Sequence, residues 1–273
     1  MIPPDRSKPF APRELNAASR RGRHGPDGGS GLVILAREPR PGLVKSRLAA
    51  EIGEEMAAAL YRAFILDTLD LCVRVAAGAR YLAFTPDGAA EAFAAIAGDR
   101  FRRIPQGAGD LGERILRSVR RLFDDGIGRA VAVGSDSPTL PPVLVEEALD
   151  ALERRDVVLG PSLDGGYYLI GIREGDGALF DGIPWGTADV FHATVRRVRE
   201  RRRALAVLPP WYDVDTAADL KVLRAHIDAM RISGERVAAA KTSALLEIAR
   251  LPGCAHSDLR GAIPPDLPPR PQT

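Results

Sequence analysis

The chain has 273 residues, of which 45% are apolar and 27% charged, enough to bury the core of one large α/β domain or two small ones. Its 38 Lys and Arg residues nearly balance its 36 Asp and Glu residues. The resulting net charge of +2 is too small for the overall electrostatic field of the protein to indicate nucleic-acid binding. The two cysteines, Cys72 and Cys254, lie far apart and form no C-x-x-C pair, which excludes the usual zinc and disulfide frameworks.

The first 30 residues carry arginines, prolines and glycines but no apolar stretch, so they lack the pattern of a signal peptide. We predict a disordered leader over 1–30. No apolar run in the sequence reaches the roughly 20 residues that a membrane-spanning helix needs. We therefore expect a cytoplasmic protein that binds neither membranes nor nucleic acid.

Strand-sized apolar runs alternate with helical patterns over residues 31–229, which predicts a single α/β, Rossmann-like domain with a mostly parallel central sheet flanked by helices. Strands are predicted at 32–36, 81–85, 101–104, 130–134, 157–160, 167–172 and 204–208. Helices are predicted at 53–76, 89–97, 110–123, 141–154, 189–203 and 216–229. A C-terminal segment, 230–273, is predicted to hold one more helix over 235–251 and a Pro-rich tail from 263 onward.

A Gly/Pro loop that carries Arg37, Gly42, Lys45 and Arg47 follows the first predicted strand directly. Ligands of open α/β sheets lie outside the carboxyl ends of strands, where backbone amides and cations neutralise phosphates. The loop therefore predicts a triphosphate site, although Val44 in place of Gly before the lysine excludes a Walker A loop. Taken alone, the motif is equally well explained as a surface loop with solvated charges.

Asp136 follows a strongly apolar predicted strand, between Ser135 and Ser137. A carboxylate at this position can hold Mg²⁺ or Mn²⁺ against phosphate oxygens and so offset their charge during attack. Ser135 is a candidate nucleotide contact beside it. The alternative is that Asp136 forms a turn or helix cap before Pro138.

A pair of carboxylates, Asp213 and Asp215, precedes a helix start marked by Thr216 and Asp219. If the segment is extended, the two aspartates face the same way because side chains alternate along a strand. An EF-hand is excluded, since Arg224 stands where the bidentate glutamate would be. We predict Asp215 as the second metal ligand.

Two glycine-rich segments are weaker candidates. In the first, Asp164, Gly165 and Gly166 would let the backbone approach a ligand closely, but Asp-Gly is also an ordinary turn signal. In the second, Asp110 and Arg114 would meet a nucleotide or substrate at a helix start. A capping box between Asp110 and Glu113 explains that second pattern equally well.

Five motifs in chain order resemble the bacterial family called selenodomain/radical-SAM-associated transferase 1. The motifs are 45–48, 109–114, 134–138, 164–168 and 213–216, and the resemblance covers about residues 31–228. That family is similar to 2-phospholactate guanylyltransferase and belongs with the GT-A fold nucleotide-diphospho-sugar transferases. The resemblance implies a GT-A fold, a nucleotide bound by the N-terminal half, and Mg²⁺ near Asp136.

Typical GT-A glycosyltransferases carry Asp-x-Asp at this strand end, whereas this chain has a single aspartate, Asp136, between two serines. A single strand-end aspartate paired with a later one is more similar to a nucleotidyltransferase. We therefore predict that a nucleoside triphosphate modifies a small phosphorylated or hydroxylated acceptor, with Lys45, Arg47 and Asp136 as catalytic residues. The alternatives are a glycosyltransferase with a nucleotide-sugar donor and an inactive nucleotide-binding module.

Overall fold

A seven-stranded sheet forms the centre of the protein in the computed structural model, which describes residues 29–173 and 177–249. The strands are β1 (Ser30–Arg37), β2 (Ala79–Thr85), β3 (Arg102–Pro105), β4 (Arg129–Gly134), β5 (Val157–Pro161), β6 (Tyr167–Ile172) and β7 (Leu205–Val207). They are arranged in the order β3-β2-β1-β4-β6-β5-β7. Every neighbouring pair is parallel except the two pairs that contain β6, which runs antiparallel to both β4 and β5. The predicted mostly parallel α/β fold is thus confirmed.

The reversal of β6 follows from the length of the chain that precedes it. Only residues 162–166 connect β5 to β6. A parallel neighbour would need a crossover connection of about a dozen residues or more, so this short turn produces an antiparallel pair. As a result, β6 begins at the edge of the sheet where the parallel strands end.

Helices cover both faces of the sheet. They are α1 (Ser46–Ile52), α2 (Glu54–Arg74), α3 (Ala90–Ala97), α4 (Leu111–Asp124), α5 (Pro142–Ala151), α6 (Val190–Glu200), α7 (Ala217–Ile232) and α8 (Ala240–Ile248). Alternate residues of β1 enter opposite cores, because Leu32 and Ile34 pack in a cluster with α2 and α5, while Val33 packs with α4 and α6. Among the described residues, no helix combines the length and the hydropathy needed to cross a bilayer.

The predicted elements of residues 31–229 are all present, and their ends differ from the prediction by at most three residues. One helix was missed. The predicted phosphate loop continues into α1, whose seven residues are too few to show a periodic pattern. Gly53, which follows the last residue of α1, ends the helix with a φ of 87°. Residues 1–28 of the predicted leader, the tail from 263 onward and Cys254 lie outside the described residues.

The predicted C-terminal helix was placed too early, because α8 begins at Ala240 and not at 235. Its cap comes from a distant helix. The carboxylate of Asp67 on α2, which is 1% exposed, accepts hydrogen bonds from the backbone N–H groups of Lys241 and Thr242 at 2.9 Å each. It also accepts one from the Thr242 hydroxyl at 2.7 Å. First-turn N–H groups have no partner within their own helix, so this buried carboxylate decides where α8 starts.

We expect Asp67→Ala to lower the free energy of unfolding by about 1–3 kcal/mol, because it leaves buried donors of α8 without a partner. Urea unfolding followed by circular dichroism measures the change. Asp70→Ala is the matched control from the next turn of α2, since Asp70 makes only an exposed ion pair with Arg100 at 3.0 Å, which is worth about 0–1 kcal/mol. Equal losses in the two variants would contradict this role of Asp67.

Candidate nucleotide and metal site

A cavity of about 590 Å³ lies at the edge of the sheet where β1, β2 and β4 end and β6 begins. The first turn of α4 and residues 185–188 form its other walls. A second recess of about 510 Å³, lined by residues 42–47, adjoins the cavity. The two spaces share a set of five residues: Arg37, Arg47, Tyr61, Asp136 and Asp215. This is the position at which ligands of open α/β sheets are expected.

The ammonium of Lys45 lies between two carboxylates from distant parts of the chain. Its Nζ atom forms ion pairs with Asp136 Oδ1 and, at 2.7 Å, with Asp215 Oδ1. Arg47 binds the other oxygen of Asp215 at 2.8 Å. The Lys45 side chain is only 5% exposed, and its Nζ lies 5.4 Å from the centroid of the Tyr61 ring. The structure thus brings together all three residues predicted as catalytic and both predicted metal ligands.

Burial disfavours the charged form of Lys45, but the two carboxylates outweigh that effect and raise the pKa of its ammonium above its ordinary value. Asp136 and Asp215 remain 41% and 30% exposed, so water and ligands reach their other lone pairs. The centre of the site is therefore a buried cation between two carboxylates that open onto the cavity.

Asp213 fastens the segment that carries Asp215. The hydroxyls of Ser137 and Ser162 donate to its two carboxylate oxygens, and burial raises the pKa of Asp213 to about 6. The backbone N–H of Val214 donates to the carbonyl of Asp136 at 3.0 Å. These bonds tie the segment to the loops after β4 and β5. The sequence marked Asp213 only as the neighbour of Asp215, and the serine partners carry no local signal of this role.

Tyr61, on α2, forms hydrogen bonds with residues at the ends of β1 and β4. Its hydroxyl accepts a hydrogen bond from the backbone N–H of Arg37 at 3.0 Å and lies 2.9 Å from Ser135 Oγ. Burial raises the pKa of Tyr61 to about 12, so the hydroxyl stays protonated. Ser135, predicted as a nucleotide contact, is 1% exposed and lines the cavity. Sequence reasoning missed Tyr61 because it lies within the apolar pattern of α2.

Gln106 is a second residue that the sequence did not indicate. It is 3% exposed, yet it lines the cavity. Its side-chain amide donates to the carbonyls of Ala36 at 3.1 Å and Ala83 at 2.8 Å, at the ends of β1 and β2. It therefore closes the gap between two strand ends on the β2 side of the cavity.

The two glycine-rich segments contribute only in part. The capping box is present, since Asp110 Oδ1 accepts from the Glu113 N–H and Glu113 Oε2 accepts from the Asp110 N–H, both at 2.9 Å. Asp110 is therefore used as a helix cap and lies outside the lining of both spaces, whereas Arg114 lines the cavity.

In the other segment, Asp164 and Gly166 line the cavity, and Asp164 Oδ1 accepts from the Gly166 N–H at 2.9 Å. Gly165 does not line it. Its φ is +92°, and a β-carbon there would lie 2.1 Å from the carbonyl oxygen of Ala188. Gly165 was predicted to let a ligand approach, but it is needed for packing against the segment that leads into α6.

Trp185 closes the cavity between α4 and α6. Its ring stacks on Phe180 with centroids 6.3 Å apart and meets Tyr167 edge-on at 6.2 Å. It lies so close to the first turn of α4 that a β-carbon on Gly112 would approach the indole to 2.5 Å. The sequence indicated neither Trp185 nor the requirement for glycine at 112.

We expect Gly112→Ala to displace the Trp185 indole toward water and shift its fluorescence to longer wavelength. The chain has two tryptophans, so the emission is measured in a Trp211→Phe background. Gly88→Ala is the control, because a β-carbon there meets no atom within 4 Å. Identical spectra for Gly112→Ala and its parent would show that the indole is not held against α4.

Comparisons with known proteins relate the chain to transferases. Residues 68–187 match the model of a family described as "Uncharacterized protein conserved in bacteria (DUF2064)". A 3-phospho-D-glycerate guanylyltransferase from Phenylobacterium zucineum (strain HLK1) is 37% identical over 143 residues, which cover 48% of this chain and 62% of that relative. The match thus spans less than two thirds of the guanylyltransferase.

Two solved structures are similar over more of the chain. A crystal structure from Desulfovibrio desulfuricans G20, provisionally described as a nucleotide-diphospho-sugar transferase, is 38% identical, covers 85% of this chain and 97% of its own, and has a TM-score of 0.72. A 4-diphosphocytidyl-2C-methyl-D-erythritol synthase from Anaerococcus prevotii DSM 20548 is 12% identical over 74% of this chain and 97% of its own, with a TM-score of 0.52, and shares the fold alone. Residues 68–187 therefore match the bacterial DUF2064 family, and the chain is related to a protein of the fold group that contains nucleotidyl and nucleotide-sugar transferases.

Proposed function

We propose that this protein is a metal-dependent nucleotidyltransferase that transfers a nucleoside monophosphate from a nucleoside triphosphate to a small phosphorylated acceptor. The convergence of Lys45 and Arg47 with Asp136 and Asp215 beside the cavity carries the proposal. It joins two cations suited to phosphates with two carboxylates suited to a divalent cation. The guanylyltransferase relative makes GTP the first donor to test and 3-phosphoglycerate the first acceptor.

The donor set fits Mg²⁺ or Mn²⁺. Asp136 and Asp215 both reach the same ammonium, so their oxygens lie close enough to share one cation. Within 29–173 and 177–249, no group of three or more His, Cys, Asp or Glu side chains is placed to hold a metal by itself. Mg²⁺ is commonly held by one or two carboxylates together with substrate phosphates and water, which is the set available here. Bound there, the metal would offset negative charge on the phosphate oxygens.

The residues of the chain act by position and charge. Lys45, Arg47 and Arg37 would hold the triphosphate in and beside the recess of residues 42–47. A phosphate oxygen of the acceptor attacks the α-phosphorus, a new P–O bond forms, the bond to the bridging oxygen breaks, and pyrophosphate leaves. The attacking phosphate is already an anion and needs no general base, so orientation and electrostatic stabilisation suffice. This favours a phosphorylated acceptor over a hydroxyl acceptor, whose proton would have to be removed.

The cavity is lined by different strand ends. Within it, we place the nucleoside beside Gln106, at the ends of β1 and β2, and the acceptor beside Asp164 and Gly166, at the start of β6.

A glycosyltransferase that uses a nucleotide-sugar is the second candidate, because the structure from Desulfovibrio desulfuricans is provisionally described as a nucleotide-diphospho-sugar transferase. Both reactions use a metal beside phosphates, so loss of metal binding does not separate them. Release of pyrophosphate from a triphosphate separates them directly.

We expect the protein with Mg²⁺, GTP and 3-phosphoglycerate to release pyrophosphate, and Asp136→Ala to abolish the release while the variant still folds with a lowered melting temperature. The melting temperature falls because the buried Lys45 ammonium keeps only Asp215 as a carboxylate partner, but the fold survives because the partly exposed Asp136 side chain leaves no cavity in the core. Asp70→Ala, far from the site, is the control. Titration calorimetry of Mg²⁺ with nucleotide gives the second readout, and unchanged binding by Asp136→Ala would refute the metal assignment.

Lys45→Ala should weaken the binding of a triphosphate more than that of the monophosphate of the same base. A charge-assisted contact to an outer phosphate is worth about 1.5–3 kcal/mol, or about tenfold to over a hundredfold in affinity. Dissociation constants at fixed salt and Mg²⁺ measure the difference. Equal, small losses for both ligands would show that Lys45 does not contact the outer phosphates, and a loss confined to a nucleotide-sugar would favour the glycosyltransferase.

A further inference from the structure

Lys45 holds the two carboxylates that the proposed function assigns to a metal. Its ammonium contacts Asp136 Oδ1 and Asp215 Oδ1, and the side chain is only 5% exposed. Each carboxylate therefore presents one oxygen to the same ammonium. A divalent cation shared by the same oxygens would lie where Nζ now lies, so the two cations exclude each other by contact and by charge repulsion.

We propose that Lys45 is a counter-cation that keeps the divalent metal out of the free enzyme and leaves Asp136 and Asp215 only when a triphosphate attracts it. The metal site is then completed by the nucleotide itself. This inference rests on the proposed function and adds an order of events to it: the free enzyme binds metal weakly, and metal and triphosphate bind together.

The charges of the site support this exchange. In the structure, the carboxylates of Asp136 and Asp215 are balanced by the two cations of Lys45 and Arg47. The ammonium of Lys45 contacts both carboxylates directly, so it leaves them to another cation only by moving away from them. With a divalent cation on the carboxylates, the same two side chains are free to balance phosphate charge.

The position of Lys45 permits the movement. It lies in the loop that lines the recess of residues 42–47, immediately before α1. Its backbone is in the left-handed region, with φ 50° and ψ 45°, which is costly for a residue other than glycine. The carboxylate contacts help to offset this cost. A phosphate bound in the recess would offer the long lysine side chain a second set of partners without moving the sheet.

Direct metal binding tests the proposal, measured as free Mn²⁺ by electron paramagnetic resonance in the absence of nucleotide. We expect Lys45→Met, which keeps the aliphatic stem, to bind Mn²⁺ about tenfold to a hundredfold more tightly than the wild-type protein, the equivalent of a charge-assisted contact. Arg47→Met is the matched control. Arg47 pairs with the same Asp215 but is 68% exposed, so its removal should tighten binding by less than about fivefold.

A double variant separates this inference from the proposed function. Adding Asp215→Asn to Lys45→Met should abolish the gained affinity. If Lys45→Met binds Mn²⁺ no more tightly than the wild type, or gains no more than Arg47→Met, the counter-cation role is overturned and the proposed metal site still stands on the Asp136→Ala test. If Asp215→Asn leaves the gained affinity unchanged, the metal lies elsewhere and both proposals fail. Thermal unfolding checks that each variant is folded, and Lys45→Gln replaces Lys45→Met if that variant is not.

Discussion

A buried lysine ammonium must be paired, and in this protein that requirement connects three distant parts of the chain. An unpaired charge at the position of Lys45 would cost several kcal/mol. Asp136 and Asp215 supply the partners, so the loop before α1, the end of β4 and the segment before α7 are held at one point. Asp213, fastened by two serine hydroxyls, keeps its segment in register. The chemistry of the site and its local order therefore depend on the same contacts.

The topology of the sheet makes this meeting possible. Parallel strands end at one edge, so residues that follow β1 and β4 lie side by side although about a hundred residues separate them. The antiparallel β6 begins at that same edge and adds Tyr167 and Tyr168 to the cavity wall. Side chains from strand ends that converge in this way are the usual origin of ligand sites in such folds.

Local patterns allowed most of the fold to be predicted. Apolar periodicity located the strands and the longer helices because burial on a sheet or helix face repeats along the chain. The capping boxes at Asp110 and Thr216 could also be predicted, because each is formed within four consecutive residues. The antiparallel direction of β6 also follows from the short connection before it, although the prediction did not state it. The start of α8 could not be predicted, because its cap is a carboxylate of α2 far away in sequence.

The sequence by itself determined the fold class and the residue types of the site, because motifs that follow strands reveal where charges and glycines gather. Only the tertiary structure decided how those residues are used. It paired Lys45 with both carboxylates, packed Gly165 against Ala188, and placed Trp185 across the cavity. Each of these roles depends on a partner that is remote in the chain, and no local pattern records which remote residue will supply it.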